Sequence, residues 1–233
     1  MNSSSKLIHL LQKYSHDFFS VVYFDATKDN LLPMNFTASN TDLNAMLLND
    51  VNAFSTYVSH KITAANCKYG IGGYAEDRVV YNVHEHFSKQ QQPRTIHLGV
   101  DIWGEETTPI YAPLGGMVHS MAFNNNKGDY GGTIILQHQL ETVQFHTLYG
   151  HLSLQSIANV TEGQYINRGN IIGHFGNTKE NGGWPPHLHF QIIEDMELKE
   201  GDYPGVCAKN EQEKYLNNCP NPNLILTMMK YLK

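Results

Sequence analysis

The chain has 233 residues, 41% of them hydrophobic, which is enough for a buried core and excludes global disorder. Its formal charge of -6, with 16 Lys+Arg against 22 Asp+Glu and no basic run, excludes electrostatic capture of nucleic acid. Cys67, Cys207 and Cys219 form neither a thiolate metal motif nor a disulfide framework, and are read as free thiols.

The N-terminal stretch carries Leu7, Leu10, Leu11, Tyr14 and Phe18 at helical spacing, but Lys6, His16 and Asp17 break it up. It lacks the apolar run and small-residue cleavage site of a secretion signal, so a cytoplasmic location is expected. No apolar stretch is long enough to span a membrane. A second helical pattern runs through Leu43, Met46, Leu47, Val51, Phe54 and Val58, with Asn40 or Thr41 as its cap. Gly70-Ile71-Gly72-Gly73-Tyr74-Ala75 formally fits a dinucleotide fingerprint. No convincing strand precedes it and no apolar helix follows, so it is read as a turn. His84-Glu85-His86 has no matching carboxylate motif and is read as a solvated strand end.

From about residue 91 the pattern changes. Ile96–Trp103, Met117–Phe123, Thr133–Gln139, Val143–Tyr149, Tyr165–Phe175 and His187–Ile193 are short apolar or alternating runs separated by Gly- and Pro-rich turns. The expected fold is α+β, mainly β. A compact antiparallel β domain over 91–195 follows a partly helical region over 1–90 and precedes a short helical tail over 196–233. The stretch 163–176 also resembles a lipoyl-carrier hairpin, without the lysine such a carrier needs.

Three histidine motifs lie in the β region. In Pro185-Pro186-His187-Leu188-His189-Phe190 the two imidazoles share one strand face, about 7 Å apart. In His97-Leu98-Gly99-Val100-Asp101 the two polar side chains would stand about 13 Å apart on a straight strand, too far for one ion. A shared metal therefore requires the chain to bend near Gly99. The third motif is Tyr149-Gly150-His151. His146, five residues before His151, falls on the opposite face if that run is one regular strand.

These motifs, in this order, resemble the lysostaphin-like zinc endopeptidases, which carry His-x-x-x-Asp, then Gly-His, then His-x-His. The flanking Ala112-Pro113-Leu114-Gly115-Gly116 and the stretch from Gly163 to Gly169 match as well. The resemblance implies His97, Asp101 and His189 as ligands of a zinc ion. It implies His151 and His187 as the catalytic histidines that hold and polarise the attacking water. It further implies hydrolysis of a peptide, glycine-containing or peptidoglycan-like, with no nucleic-acid or membrane partner. The alternative is a non-catalytic binding or regulatory module on the same fold. The segment from Gly70 to Arg78 and the tail from Cys219 to Leu224 resemble a narrower group, in which such a domain is fused to class III aminotransferases. One departure is visible: relatives place a tyrosine just before the first histidine, where this chain has Gln90-Gln91-Gln92-Pro93-Arg94. Tyr149 is a replacement by sequence alone, and a core tyrosine is the plainer reading. The N-terminal region is expected to lie over the groove and restrict access to it.

Overall fold

The structure, a computed structural model, describes residues 3–83 and 92–232. His84, Glu85 and His86 lie outside them. In chain order the elements are α1 (Ser3–Lys13), β1 (Leu31–Pro33), α2 (Ala45–Asn49), α3 (Val51–Ala64), β2 (Tyr69–Gly72), β3 (Arg94–His97), β4 (Val100–Trp103) and β5 (Pro109–Tyr111). There follow β6 (Gly116–Asn124), β7 (Gly131–Leu140), β8 (Val143–Leu152), α4 (Leu154–Ala158), β9 (Tyr165–Ile166), β10 (Ile171–His174) and β11 (His187–Ile193). The chain closes with β12 (Val206–Ala208), α5 (Gln212–Asn218) and α6 (Asn223–Leu226).

An eight-stranded sheet in the order β1-β2-β4-β11-β8-β7-β6-β9 is the frame. Its pairs are antiparallel except β1 with β2. Two small antiparallel sheets, β5 with β10 and β3 with β12, flank it. The fold is thus mainly β with helices before and after, as the alternating pattern predicts. One face of the large sheet packs Val100, Ile102, Tyr149, Leu188 and Phe190 into the main core, which α1 closes with Leu7 and Leu11. Strand alternation leaves His187, His189 and Gln191 for the other face.

Several expectations change. Gly70–Gly72 is not a turn: Tyr69–Gly72 is a buried strand in register with β4. Glycine suits this strand because a Cβ at Gly72 would lie 2.6 Å from the carbonyl oxygen of Met34. The helix expected from Leu43 onward is two helices, capped by Asn44 and by Asp50, whose carboxylate accepts from the backbone N–H groups of Asn52 and Ala53. β9 and β10 do not pair with each other but with β6 and β5, so no carrier hairpin forms. The three cysteines are free. No helix of the described residues is long and apolar enough to cross a membrane.

Candidate functional site

The site is built on three adjacent strands. Asp101 of β4 is the cross-strand neighbour of His189 of β11, which on its other side faces Gly150 of β8. His187, two residues earlier, faces Trp103 and stacks on its indole with centroids 5.6 Å apart. The bend required between His97 and Asp101 exists. β3 ends at His97 and pairs with β12, whereas β4 starts at Val100 and enters the large sheet. Gly99 stands at the crossing for a steric reason: a Cβ there would lie 2.4 Å from Cε1 of His189.

His97 Nε2, His189 Nδ1 and Asp101 Oδ1 converge, with separations of 3.0 Å between the histidines, 3.0 Å from His189 to Asp101 and 3.3 Å from His97 to Asp101. A tetrahedral ion with bonds of about 2.0–2.1 Å has ligand edges of about 3.3 Å, so the triangle fits one face of such a shell. Among the described residues these three form the one cluster of this kind.

The proton positions follow from the outer partners. His97 Nδ1 lies 3.1 Å from the carbonyl oxygen of Gly73, which only accepts, so Nδ1 donates and Nε2 offers its lone pair. Gln191 donates its amide to the carbonyl of Pro204, which turns Oε1 toward His189 Nε2 at 2.9 Å. That nitrogen therefore carries the proton, and Nδ1 is open toward Asp101. Arg78, buried from solvent, donates Nη1 to Asp101 Oδ2 and Nε to Glu76 at 2.7 Å.

Burial opposes the ionised form of Asp101, yet the carboxyl is held well below the ordinary range, with the permanently charged guanidinium of Arg78 against it. Burial first and Arg78 second push His97 down to about 3, leaving it neutral at pH 7.

His151 and His187 stand beside the triangle with rings stacked at 4.0 Å. Each donates Nδ1–H to a backbone carbonyl, His151 to Asn181 at 2.8 Å and His187 to Pro185 at 2.7 Å. Both Nε2 atoms are thereby unprotonated. Burial, then the mutual repulsion of the pair, holds His151 well below its ordinary value, and burial takes His187 down to about 4.

How His151 reaches this face is not visible in the alternation. Tyr149 of β8 pairs with Ile134 and Leu152 with Gly132, so Gly150 and His151 together face Thr133. This bulge, with φ at +63° for His151, turns its side chain across the sheet, away from the core side that holds Tyr149. His146 consequently shares the face of His151 instead of opposing it, since it pairs with Ile193 on the side of His189.

The cleft over these residues is walled by Phe36, Phe54, Tyr81, Trp184 and Tyr130, with Asp129 and Asp202 also lining it. Tyr149 is not among them. It is fully buried in the core and its hydroxyl is within 2.9 Å of Thr147 Oγ1. Sequence reading missed Arg78, Tyr81 and Asn181, which reach the site through contacts distant in sequence, and the role of Gln191, which meets His189 two residues away on the same strand. The strand alternation of His187, His189 and Gln191 was the one signal that pointed to Gln191.

Comparison with known proteins follows the same residues. The family model described as Peptidase family M23 matches residues 95–200. A Haemophilus influenzae protein described as an uncharacterized metalloprotease is 37% identical over 96 residues, covering 41% of this chain and 18% of its own length. A zinc-containing peptidase from Vibrio cholerae is 28% identical over 42% of this chain and 27% of its own, with a TM-score of 0.33. The lysostaphin catalytic domain of Staphylococcus simulans is 24% identical over 63% of this chain and 92% of its own, with a TM-score of 0.41. The chain spans less than a third of the length of the first two.

Proposed function

We propose that this chain is a zinc-dependent peptidase in which His97, Asp101 and His189 hold the ion and His151 and His187 carry protons. The observation that carries this reading is the convergence of three lone pairs within 3.3 Å, with two imidazole Nε2 atoms beside them. The match of residues 95–200 to a peptidase family supports it. Two neutral imidazoles and one carboxylate suit zinc. Zinc bound there would acidify a water to a pKa of about 7 and polarise a carbonyl.

The chain's own groups supply the rest. With Nδ1 pinned to carbonyls, His151 and His187 present Nε2 as proton acceptors at neutral pH, and either, once protonated, donates to a departing amine. Their stacking makes double protonation unfavourable, so the pair passes one proton at a time. Tyr81, with its ring 6.4 Å from that of His97, takes the part of the tyrosine absent before the first histidine. Burial raises its pKa, so it retains the O–H needed to donate to an oxyanion. The substrate proposed by resemblance is a glycine-containing or peptidoglycan-like peptide.

The test is zinc content by mass spectrometry together with hydrolysis of a peptide panel by wild type and Asp101→Ala. One zinc per chain and loss of both metal and cleavage in the variant are expected. A metal-free wild type, or a variant of equal activity, refutes the reading.

Burial favours a second reading, a metal-holding binding module that does not cleave. His97, Asp101, His151, His187 and His189 are each only 1–6% exposed, leaving a peptide little access. Zinc-loaded protein that binds peptidoglycan fragments without cutting any of the panel would establish it.

A further inference from the structure

One short stretch, residues 73–78, grips both His97 and Asp101 from outside. The carbonyl of Gly73 accepts from His97 Nδ1. The backbone of Ala75 donates to His97, that of His97 to Glu76, and that of Arg78 to Thr95, at 2.9–3.0 Å. Asp77 makes an antiparallel bridge to Ile96. The stretch is therefore an irregular strand laid along β3, and it lies outside the residues that match the peptidase family.

Arg78 turns inward from this strand. Its guanidinium lies 5.5 Å from the ring centroids of both Phe36 and Trp103. Nε donates to Glu76 Oε2, and Nη1 donates to Asp101 Oδ2 and, at 3.4 Å, to the hydroxyl of Tyr81. Glu76 is itself fixed, accepting from the backbone N–H of Phe36 at 3.3 Å. Anchored by Glu76 and set between Phe36 and Trp103, the planar guanidinium delivers Nη1 to Asp101 Oδ2 in one orientation; a point charge on a flexible stem would not.

Resting on the ligand assignment above, we propose that Arg78 is a positioning residue of the metal centre. By occupying Oδ2 it leaves Asp101 a single oxygen, Oδ1, for the ion. By neutralising a buried carboxylate it keeps the ligand triangle assembled before the ion arrives. Without it, Asp101 would be free to rotate toward two-oxygen binding.

The full-length chain and its Arg78→Met and Arg78→Lys variants test this. Zinc affinity is read by chelator competition, ligand geometry by the visible absorption of the cobalt-substituted protein, and folding by circular dichroism. Arg78→Met is expected to fold, to bind zinc about 10–100-fold more weakly, and to show a changed cobalt spectrum. Arg78→Lys, which restores the charge without the fork, is expected to fall between it and wild type. Folded variants with zinc affinity within about threefold of wild type and an unchanged cobalt spectrum overturn the proposal. Collapse of the fold in both variants overturns it too, since Arg78 would then serve the core and not the ion. A wild type that binds no metal removes the ligand assignment and the proposal together. A wild type that binds zinc while both variants match it removes the proposal alone.

Discussion

The imidazoles of His151 and His187 lie face to face, 4.0 Å between centroids and 30° between planes, although the residues come from different strands and stand 36 positions apart in the chain. Two rings so close cannot both be charged, and each is held by a carbonyl at Nδ1. We expect His151→Ala and His187→Ala each to lower peptide hydrolysis by roughly 10²–10⁴-fold while zinc content is unchanged. The double variant should lose less than the product of the single losses, because the pair works as a unit. Loss of zinc in either single variant would place that histidine among the ligands instead.

Gly99 is expected to be intolerant of even a methyl group. A Cβ there meets His189 Cε1 at 2.4 Å and the Phe190 carbonyl oxygen at 2.9 Å. Gly99→Ala should push the His189 ring off its partners and weaken zinc binding by about tenfold or more. Chelator competition reads this directly, and wild-type affinity would show that the crossing of β3 into β4 can yield.

Tyr81 and Tyr149 should separate cleanly. Tyr81→Phe removes a protonated hydroxyl from the cleft wall and should cut kcat roughly 10²-fold with KM little changed. Tyr149→Phe removes a core hydroxyl bonded to Thr147, and should cost about 1 kcal/mol of stability with kcat unaffected. Steady-state kinetics with the reverse pattern would restore Tyr149 as the donor.

Asn181 is fully buried, and its side chain bonds Gly176 and Trp184 carbonyls and the Gly183 and Trp184 N–H groups. Its own carbonyl orients His151. Asn181→Ala should lower stability by about 2–3 kcal/mol in urea titrations. It should also reduce turnover while sparing zinc affinity, since it contacts none of the three proposed ligands. Unaltered turnover in a folded variant would detach the loop from the orientation of His151.

Stability of the metal-free protein should fall on mild acidification. His97, His138, His146, His151 and His187 are all pushed below their ordinary value, burial being the largest cause in each, with His138 at about 4. Above about pH 6.5 these imidazoles are neutral whether the chain is folded or not. As the pH falls below that, the unfolded chain takes up protons that the folded one refuses, so stability drops. Urea midpoints in the presence of chelator, from pH 7.5 to 5, should therefore decline. A flat or rising profile would contradict the burial of neutral imidazoles.

The sequence by itself determined the local features. Short apolar or alternating runs marked β6, β7, β8 and β11; β6 alternates in burial as a half-buried strand does, whereas β11 and most of β7 and β8 are buried on both faces. Helical spacing marked α1. A family resemblance carried by the motif order pointed to His97, Asp101, His151, His187 and His189, and strand geometry required a bend near Gly99 if His97 and Asp101 share a metal. What only the tertiary structure decided depends on contacts between distant residues or on backbone angles. The stretch from Gly70 to Ala75 reads as a turn because glycines favour turns, yet Tyr69–Gly72 is a strand, where Met34 packed against Gly70 and Gly72 makes small residues the ones that fit. His151 reaches the site through a bulge and a positive φ, which reverse the parity the sequence suggests. Arg78 becomes a support of a candidate ligand only when segments remote in the chain are laid side by side, and Gln191, on the strand of His189, takes its orientation from the carbonyl of Pro204. No periodicity records which carboxylate a side chain will meet across a fold.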